Sequence, residues 1–144
     1  MRLTNYTDYS LRVLIYLGIH QQKRLATIQE IADNYNISKN HLMKVAYELG
    51  KAEYVESIRG RNGGLRLARD PKDINIGEVV RTMEEDFHIV ECFDKTKNAC
   101  IISPACHLKG ILSDALNAYI EVLDRYTLED LVQNKNQLLQ LFNK

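Results

Sequence analysis

The stretch from Ser38 to Leu67, SKNHLMKVAYELGKAEYVESIRGRNGGLRL, decides the fold, because it predicts a helix followed by a hairpin. Ser38 is a good N-cap, and apolar residues then recur at the three-four spacing of one buried helix face over roughly Lys39 to Lys51. Beyond that helix, two apolar runs flank a glycine-rich turn, which predicts a β-hairpin. Three glycines are expected to supply the positive φ angles of the turn: Gly60, Gly63 and Gly64.

Two more helices are predicted upstream of this stretch. The segment from Thr7 to His20 is apolar on nearly all sides, which indicates a helix buried in the middle of a domain. Thr27 and Glu30 form a capping box for a short helix from Ile28 to Asn34, which Tyr35-Asn36-Ile37 then breaks. Three helices followed by a basic hairpin predict a winged helix-turn-helix, in which the third helix enters the major groove of DNA.

Polar side chains at the start of the third helix and at the hairpin tip are the candidate DNA-binding residues. The helix residues are placed to reach base edges, while the arginines of the hairpin are placed for phosphate or minor-groove contacts. The alternative is a helical bundle whose polar residues only face water. The candidates are Ser38, Lys39, Asn40, His41, Lys44, Arg59, Arg61 and Asn62.

The distribution of charge agrees with this division of the chain. The 144 residues correspond to about one domain, and their formal net charge is zero. Residues 1–70 hold 11 basic and 7 acidic side chains, whereas residues 71–144 hold 8 and 12. Asp70-Pro71 marks a boundary, so we expect a DNA-binding region over 1–70 and a second region over 71–144.

The second region is predicted to be helical. A helix from Ile76 to about Asp86 precedes a cysteine-bearing loop, and a helix of about five turns runs from Pro104 or Ala105 to Tyr126. Thr127 caps a last short helix, and the tail that ends at Asn143-Lys144 is expected to fray. The apolar face of the long helix is too long for one chain to bury, which predicts a homodimer. The expected fold is therefore mainly α with a small β-hairpin, a winged helix-turn-helix followed by a long C-terminal dimerisation helix.

Three cysteines with the spacing C-x7-C-x5-C are the second group of candidate functional residues. An odd, clustered set argues against a disulfide framework. Thiolates suit an iron-sulfur cluster, zinc with a fourth ligand from His88 or His107 is chemically reasonable, and three inert thiols are possible. The cysteines are Cys92, Cys100 and Cys106.

Several function classes lack a sequence signal. No apolar run approaches the ~20 residues that cross a bilayer, and the first residues show no secretion signal, so we expect a cytoplasmic protein. There is no G-x-S-x-G, P-loop, H-E-x-x-H or glycine fingerprint after a strand. An enzyme is therefore not expected. The competing hypothesis from a different functional class is a redox-active dithiol protein.

Several segments together resemble bacterial regulators of the NsrR and IscR type. They are LTNYTDYSLRVL (3–14), ISKNHLMKV (37–45), RGRNGGLRLA (59–68) and the downstream three-cysteine loop, and with DINIGEVVR (73–81) they are most similar to the nitric-oxide-responsive NsrR branch. The resemblance implies a dimeric winged-helix repressor that binds a palindromic operator. It also implies control by an iron-sulfur cluster, [4Fe-4S] rather than [2Fe-2S], that reacts with nitric oxide.

The same resemblance implies a ligand set. Cys92, Cys100 and Cys106 would bind the cluster, and Asp8, which matches the acidic position of the opening motif, would complete the site from the partner subunit. His107 is the rival fourth ligand. Asp8 by itself is more typical of a carboxylate that stabilises a helix N-terminus, and only the resemblance favours a ligand role. The first two cysteines lie slightly farther apart than in the family's pattern. The alternative function is a DNA-binding regulator of the same fold without a cluster, controlled by thiol redox state or by a partner protein.

Overall fold

The structure of the protein is a computed structural model that describes residues 1–20 and 24–142. This part of the chain contains seven α-helices, one antiparallel hairpin and three short 3-10 helices, which confirms the expected mainly α fold. The predicted fraying of Asn143-Lys144 lies outside the described residues. The helices are α1 (Asn5–His20), α2 (Ile28–Tyr35), α3 (Lys39–Lys51), α4 (Ile76–Met83), α5 (His107–Asp124), α6 (Leu128–Leu131) and α7 (Lys135–Phe142), and the strands are β1 (Val55–Ile58) and β2 (Gly64–Leu67).

Helix α1 lies at the centre of the molecule, as its sequence predicts. Val13, Leu14 and Leu17 are almost fully buried, and Leu11 and Ile15 are partly buried against the same core. It packs against α3, α4, α6, α7 and β2. Its buried serine and threonine are both satisfied: Ser10 donates to the carbonyl of Tyr6 at 2.7 Å, and Thr7 donates to a carboxylate beyond α4. A helix surrounded in this way is stabilised mainly by apolar burial and not by its own end contacts.

The turn between α2 and α3 is set by local chemistry. Thr27 accepts a hydrogen bond from the backbone of Glu30 at 3.0 Å, which caps α2. Asn36 closes α2 in the left-handed region with φ 55°, a conformation that asparagine tolerates better than most residues. Ser38 then accepts from the backbone of His41 and starts α3 two residues later. Helix α2 therefore ends at Tyr35, one residue beyond the prediction.

Strands β1 and β2 form a hairpin, which we call the wing (residues 55–67). Val55 pairs with Leu67, and Ile58 pairs with Gly64. Gly60 and Gly64 have positive φ angles of 114° and 156°, as predicted. The same prediction for Gly63 is wrong: this glycine is needed because a Cβ atom would lie 2.1 Å from the carbonyl oxygen of Ile58.

The second half differs from the prediction mainly at helix ends. Helix α4 ends at Met83 and not near Asp86, because Glu84 adopts an extended conformation with ψ 135°. Residues 84–106, which we call the cysteine segment, contain two 3-10 turns, and the extended Cys106 delays the start of α5 to His107. The capping box of Thr127 with Asp130 is present before α6.

The last two helices return to α1. Leu128 and Val132 are buried in the main core, and Val132 lies close to Gly18 of α1. Helix α7 was not predicted, and its Phe142 makes edge contacts with Tyr16 and Tyr35 at ring-centroid distances of 5.1 Å.

Helix α5 buries only part of its apolar surface. Its inner side packs against α4, with Ile120 buried. A stripe at three-four spacing on its outer side is exposed to solvent, with Leu108 at 56% and Ile111 at 63% of full exposure. The stripe consists of Leu108, Ile111, Ala115, Tyr119 and Val122, and Tyr126 continues it just beyond the end of α5.

In the described part of the chain no helix has the length and apolar character needed to span a membrane.

Candidate functional site

Helix α3 presents a largely polar side to solvent because four of its apolar residues share the side that faces the core. Leu42, Val45 and Leu49 are buried, and Ala46 lies between them. At 100° per residue, the opposite side of the helix carries the positions 40, 44, 47 and 51. We call these exposed side chains the α3 ridge: Asn40, Lys44, Tyr47 and Lys51.

The predicted residues at the start of α3 occupy different environments. Lys39 and Asn40 are exposed, and Lys44 lies one turn farther along the ridge. His41 is half-buried, because its ring contacts the ring of Tyr9 on α1 at 4.8 Å between centroids. Ser38 uses its hydroxyl as the helix cap. Lys39, Asn40 and Lys44 therefore have freely accessible side chains, whereas His41 is held against α1.

Two residues of the ridge were missed by sequence reasoning. Tyr47 is 68% exposed, which is unusual for a tyrosine, and the Lys51 ammonium lies 6.0 Å from the centre of its ring. The neighbouring Met43 is also exposed. The three-four spacing that starts at Asn40 and Lys44 was the available signal, since it continues to both missed positions.

The tip of the wing carries the other predicted polar residues. Arg59, Arg61 and Asn62 are all exposed. Arg66 contributes less positive charge than expected, because its guanidinium pairs with Glu56 across the hairpin at 2.7 Å. Among residues 1–20 and 24–142 no carboxylate lies within ion-pair distance of Arg59 or Arg61. Their charge is therefore available to an external anion.

The wing and the start of α3 border a common groove. Lys39, Arg59 and the first residues of α2 line it. The wing is fixed against this part of the molecule because Ala26 and Leu65 exchange two backbone hydrogen bonds of 3.0 and 2.7 Å. Helix α3 and the wing thus form one continuous surface, with positively charged side chains on the helix and at the wing tip.

All three cysteines are free thiols of intermediate burial. Cys92 lies in a 3-10 turn, Cys100 precedes another, and Cys106 occupies the N-cap position of α5 without a side-chain capping bond. Asn98 orders the middle of the segment by accepting from the backbone of Cys100 at 3.0 Å. In the described ranges no three His, Cys, Asp or Glu side chains are grouped closely enough to hold a metal ion.

Asp8 lies on the first turns of α1 and is not placed with the cysteines inside one chain. Its carboxylate forms a two-point contact with Arg12, at 3.2 and 2.9 Å. The Arg12 guanidinium lies over the rings of Tyr9 and Tyr35 at 5.5 and 5.8 Å. Both members of the ion pair are about 40% exposed, with side-chain values of 43% for Asp8 and 41% for Arg12, so the carboxylate is accessible from outside the chain.

The two histidines considered as alternative ligands lie apart from each other in the cysteine segment and α5. His107 is the first residue of α5 and is exposed. His88 is also exposed, and its ring lies 3.7 Å from Asp86 and 3.9 Å from Asp94. The hydrogen bonds of Thr96 and the charge of His88 lower the pKa of Asp94.

These features define a winged-helix transcriptional regulator. They are a helix-turn-helix with a hairpin wing, an exposed ridge on its second helix and arginine side chains at the wing tip. The chain belongs to the Rrf2 family, whose model is described as an iron-dependent transcriptional regulator and matches residues 3–134.

Curated relatives cover nearly the full chain. The HTH-type transcriptional regulator NsrR of Bacillus subtilis is 63% identical over 98% of this chain and 97% of its own length. NsrR of Bacillus licheniformis is 59% identical over 99% of this chain and 100% of its own. Since these relatives are named transcriptional regulators, the chain is a regulator of transcription and not an enzyme.

Solved structures support the same fold. CymR, the global cysteine regulator of B. subtilis, has a TM-score of 0.75 at 28% identity and covers 93% of this chain and 98% of its own. T. potens IscR has a TM-score of 0.74 at 25% identity, covering 93% and 88%.

Proposed function

We propose that this protein is a homodimeric transcriptional repressor whose binding to operator DNA is controlled by an iron-sulfur cluster that reacts with nitric oxide. One observation carries the proposal. A cationic helix-and-wing surface and a segment with three free thiols occur in one chain, and α1 contacts both halves of that chain.

The α3 ridge and the wing make different contributions to DNA binding. Lys39, Asn40 and Lys44 lie at the start of a recognition helix, where side chains reach base edges in the major groove. Arg59 and Arg61 contact phosphates, and because they have no intramolecular partner among the described residues, they lose no ion pair on binding. Ser38, His41 and Asn62 hold or flank these groups.

The donor set of the cysteine segment fits an iron-sulfur cluster. Thiolates are preferred ligands for iron in such clusters, and no disulfide competes for Cys92, Cys100 or Cys106. One chain supplies three thiols, so a further ligand is needed, and Asp8 of the partner subunit is our assignment. The likeness to the NsrR relatives favours a [4Fe-4S] over a [2Fe-2S] cluster. A bound cluster would have one iron with an oxygen ligand from Asp8, and such an iron would be open to reaction with a small diatomic molecule such as nitric oxide.

Asp8 is suited to link the cysteine segment of one subunit to the DNA-binding surface of the other. The turn of α1 that carries Asp8 contacts α3 in two places: the hydroxyl of Tyr6 donates to the carbonyl of Lys44 at 3.3 Å, and Tyr9 packs on His41. If Asp8 binds the cluster of the partner subunit, its ion pair with Arg12 is broken. Arg12 then keeps only its contacts with the rings of Tyr9 and Tyr35. The position of α1 relative to α3 then depends on the partner's cysteine segment.

The exposed stripe of α5 is the proposed dimer interface. Six side chains at three-four spacing along about five turns form an apolar surface of the kind that helices bury against each other. A symmetric contact between two such stripes brings two DNA-binding surfaces into one particle, which matches a palindromic operator.

The test is a mobility-shift titration of anaerobically purified protein. The probe is a duplex selected by the protein from a random library, and the arms are the coloured holo protein, the same protein after nitric oxide, and a Cys92→Ala, Cys100→Ala, Cys106→Ala variant. We expect tight binding in the first arm and weak binding in the other two. Equal affinity in all three arms would contradict control by the cluster.

A second function is supported by the lack of a preformed group of three donors within residues 1–20 and 24–142. In this alternative the same DNA-binding fold responds to the redox state of the thiols, without a cluster. A colourless anaerobic preparation that binds DNA only with reduced cysteines would favour it.

A further inference from the structure

Glu84 forms an unusual set of contacts with the start of α1. Its carboxylate accepts from the Thr4 hydroxyl at 2.6 Å and from the Thr4 backbone N–H, with N–O distances of 3.2 and 3.3 Å. It also accepts a hydrogen bond from the hydroxyl of Thr7, a side chain with no exposed surface. Glu84 thus joins two parts of the chain that are 80 residues apart in sequence.

These contacts fix the first turn of α1. Thr4 acts as its cap, because its hydroxyl accepts from the backbone of Thr7 at 3.3 Å and its carbonyl accepts from the backbone of Asp8 at 3.0 Å. The first N–H groups of a helix lack partners within the helix, and a carboxylate near them is stabilised by the helix dipole. Glu84 therefore holds the cap residue of the helix that carries Asp8.

Glu84 also begins the cysteine segment. It is the C-cap of α4, with its backbone N–H bonded to the carbonyl of Val80 at 3.0 Å, and the chain leaves α4 in an extended conformation at this residue. Cys92 follows eight positions later. A change in the order of the segment acts on the backbone of Glu84 first, since α4 itself is anchored by buried Val79, Val80 and Met83.

The opposite side of the same α1 turn touches the recognition helix, through Tyr6 to the carbonyl of Lys44 and through Tyr9 to His41. Glu84, Thr4 with Thr7, and α3 are therefore connected by contiguous contacts. Contiguous contacts make coupling possible, and only measured coupling shows it.

We infer that Glu84 is a positioning residue that transmits the state of the cysteine segment to α1, and through α1 to the recognition helix. This inference rests on the proposed cluster control of operator binding. It assigns to Glu84 no contact with the cluster or with DNA. Its expected effect is on the ratio between the operator affinities of the cluster-bound and cluster-free protein.

The experiment measures this ratio in the full-length dimer. Wild type, Glu84→Ala, Glu84→Gln and Thr7→Val are each purified anaerobically with the cluster and again without it, and all are titrated with the duplex selected by the wild type. Glu85→Ala, which removes the adjacent exposed carboxylate, is the matched control. We expect a wild-type ratio of about tenfold or more, and a ratio within about twofold of one for Glu84→Ala. Glu84→Gln and Thr7→Val should lie between them, since each retains part of the hydrogen bonding.

A readout without the cluster separates positioning from general destabilisation. In the cluster-free proteins, hydrogen exchange of the amides at positions 4–8 should be faster in Glu84→Ala than in wild type, while exchange in α2 stays unchanged. Exchange that rises equally across the whole molecule would overturn the inference.

The affinity measurements have clear outcomes. If the Glu84 variants keep the wild-type ratio, Glu84 has no transmitting role, and cluster control of DNA binding still holds. The same conclusion follows if the affinities with and without the cluster fall by the same factor. Loss of the cluster from Glu84→Ala also overturns the inference, because the carboxylate would then act at the cluster site. A wild-type ratio of one instead contradicts the proposed function itself.

Discussion

Arg61 and Asn40 are both exposed and polar, but one lies at the wing tip and the other on α3, so the proposed function predicts different roles for them on DNA. Replacing Arg61 by Ala should weaken binding to all sequences alike and reduce the salt dependence of log K by about one unit, because one phosphate contact is lost. Asn40→Ala should instead relax base preference at one position of each half-site, with a cost of about 1–3 kcal/mol on the preferred sequence. Titrations at several salt concentrations with matched and mismatched duplexes distinguish the two effects.

The control for lost charge is Arg125→Ala, which removes an exposed arginine after the end of α5. Its salt dependence should equal that of wild type. If Arg125→Ala and Arg61→Ala gave the same change, the wing would have no special part in binding.

The cluster ligands are expected to differ in how much each is needed. Each of the variants Cys92→Ala, Cys100→Ala and Cys106→Ala should abolish the visible absorbance of the anaerobic protein. Asp8→Ala should leave a cluster that a chelator removes faster, because solvent or an added thiol can take the vacated position. Asp8→Cys should restore slower loss. His107→Ala is the parallel variant, and faster loss from it than from Asp8→Ala would move the fourth ligand to His107.

Single residues also show where sequence reasoning succeeds and where it ends. Thr27 and Ser38 each cap the helix that follows, as predicted, because a cap is a contact between residues two or three positions apart. The contacts of Glu84 with Thr4 join residues 80 positions apart, so no local sequence pattern predicts them. Tyr47 was missed for a different reason: exposure depends on what packs against a helix, which spacing alone does not specify.

At the scale of elements, α4 and α5 are joined by a charged contact at one end. The guanidinium of Arg81 lies 2.6 Å from the carboxylate of Asp124, and this interaction lowers the pKa of Asp124. A pKa that is lower in the folded state means that the contact stabilises the fold above the ordinary pKa of aspartate, about 3.9, and that this contribution is lost as pH falls through the lower folded value.

Asp124→Asn should therefore lower the free energy of unfolding at pH 7, and the difference from wild type should shrink as pH falls below about 4. Urea unfolding of both proteins at neutral and acid pH measures this. Asp114→Asn on α5, whose carboxylate has no ion-pair partner within the described ranges, is the control for the loss of one negative charge. A gap between Asp124→Asn and wild type that stayed constant with pH would contradict the assignment.

Elements were easier to predict in kind than in extent. The spacing of apolar residues predicted α5, but these residues occupy more than one side of the helix. Only the packing shows that the side around Ile120 contacts α4, while Leu108 and Ile111 remain exposed. Helix α7 was missed because its stability depends on Phe142 contacting tyrosines more than 100 positions earlier.

For the whole molecule, the exposed stripe of α5 makes a prediction about assembly. Ile111→Glu places a charge in the middle of the proposed interface and should shift the particle mass toward the 16.6 kDa of one chain, whereas wild type should have twice that mass. Light scattering at micromolar concentration measures the change. The same variant should also bind a palindromic duplex more weakly, since two half-sites are no longer engaged together.

Leu141→Glu is the matched control, because Leu141 is as exposed as Ile111, at 61% against 63%, but lies on α7. Its mass should remain that of a dimer. A wild-type protein of one-chain mass, or a dimer that Ile111→Glu leaves unchanged, would place the interface elsewhere.

The return of the last helices to α1 has a consequence for the synthesis of the protein. Leu128, Val132 and Phe142 complete the packing around Gly18, Tyr16 and Tyr35. Chains generally begin to fold from the N-terminus while the ribosome is still adding residues. Here α1 and α2 emerge long before the side chains that cover them, so their final packing must wait until residues 128–142 have left the ribosome. A ribosome stalled before residues 128–142 emerge would hold a nascent chain whose α1 is still open to proteases on this side, and emergence of these residues would cover it.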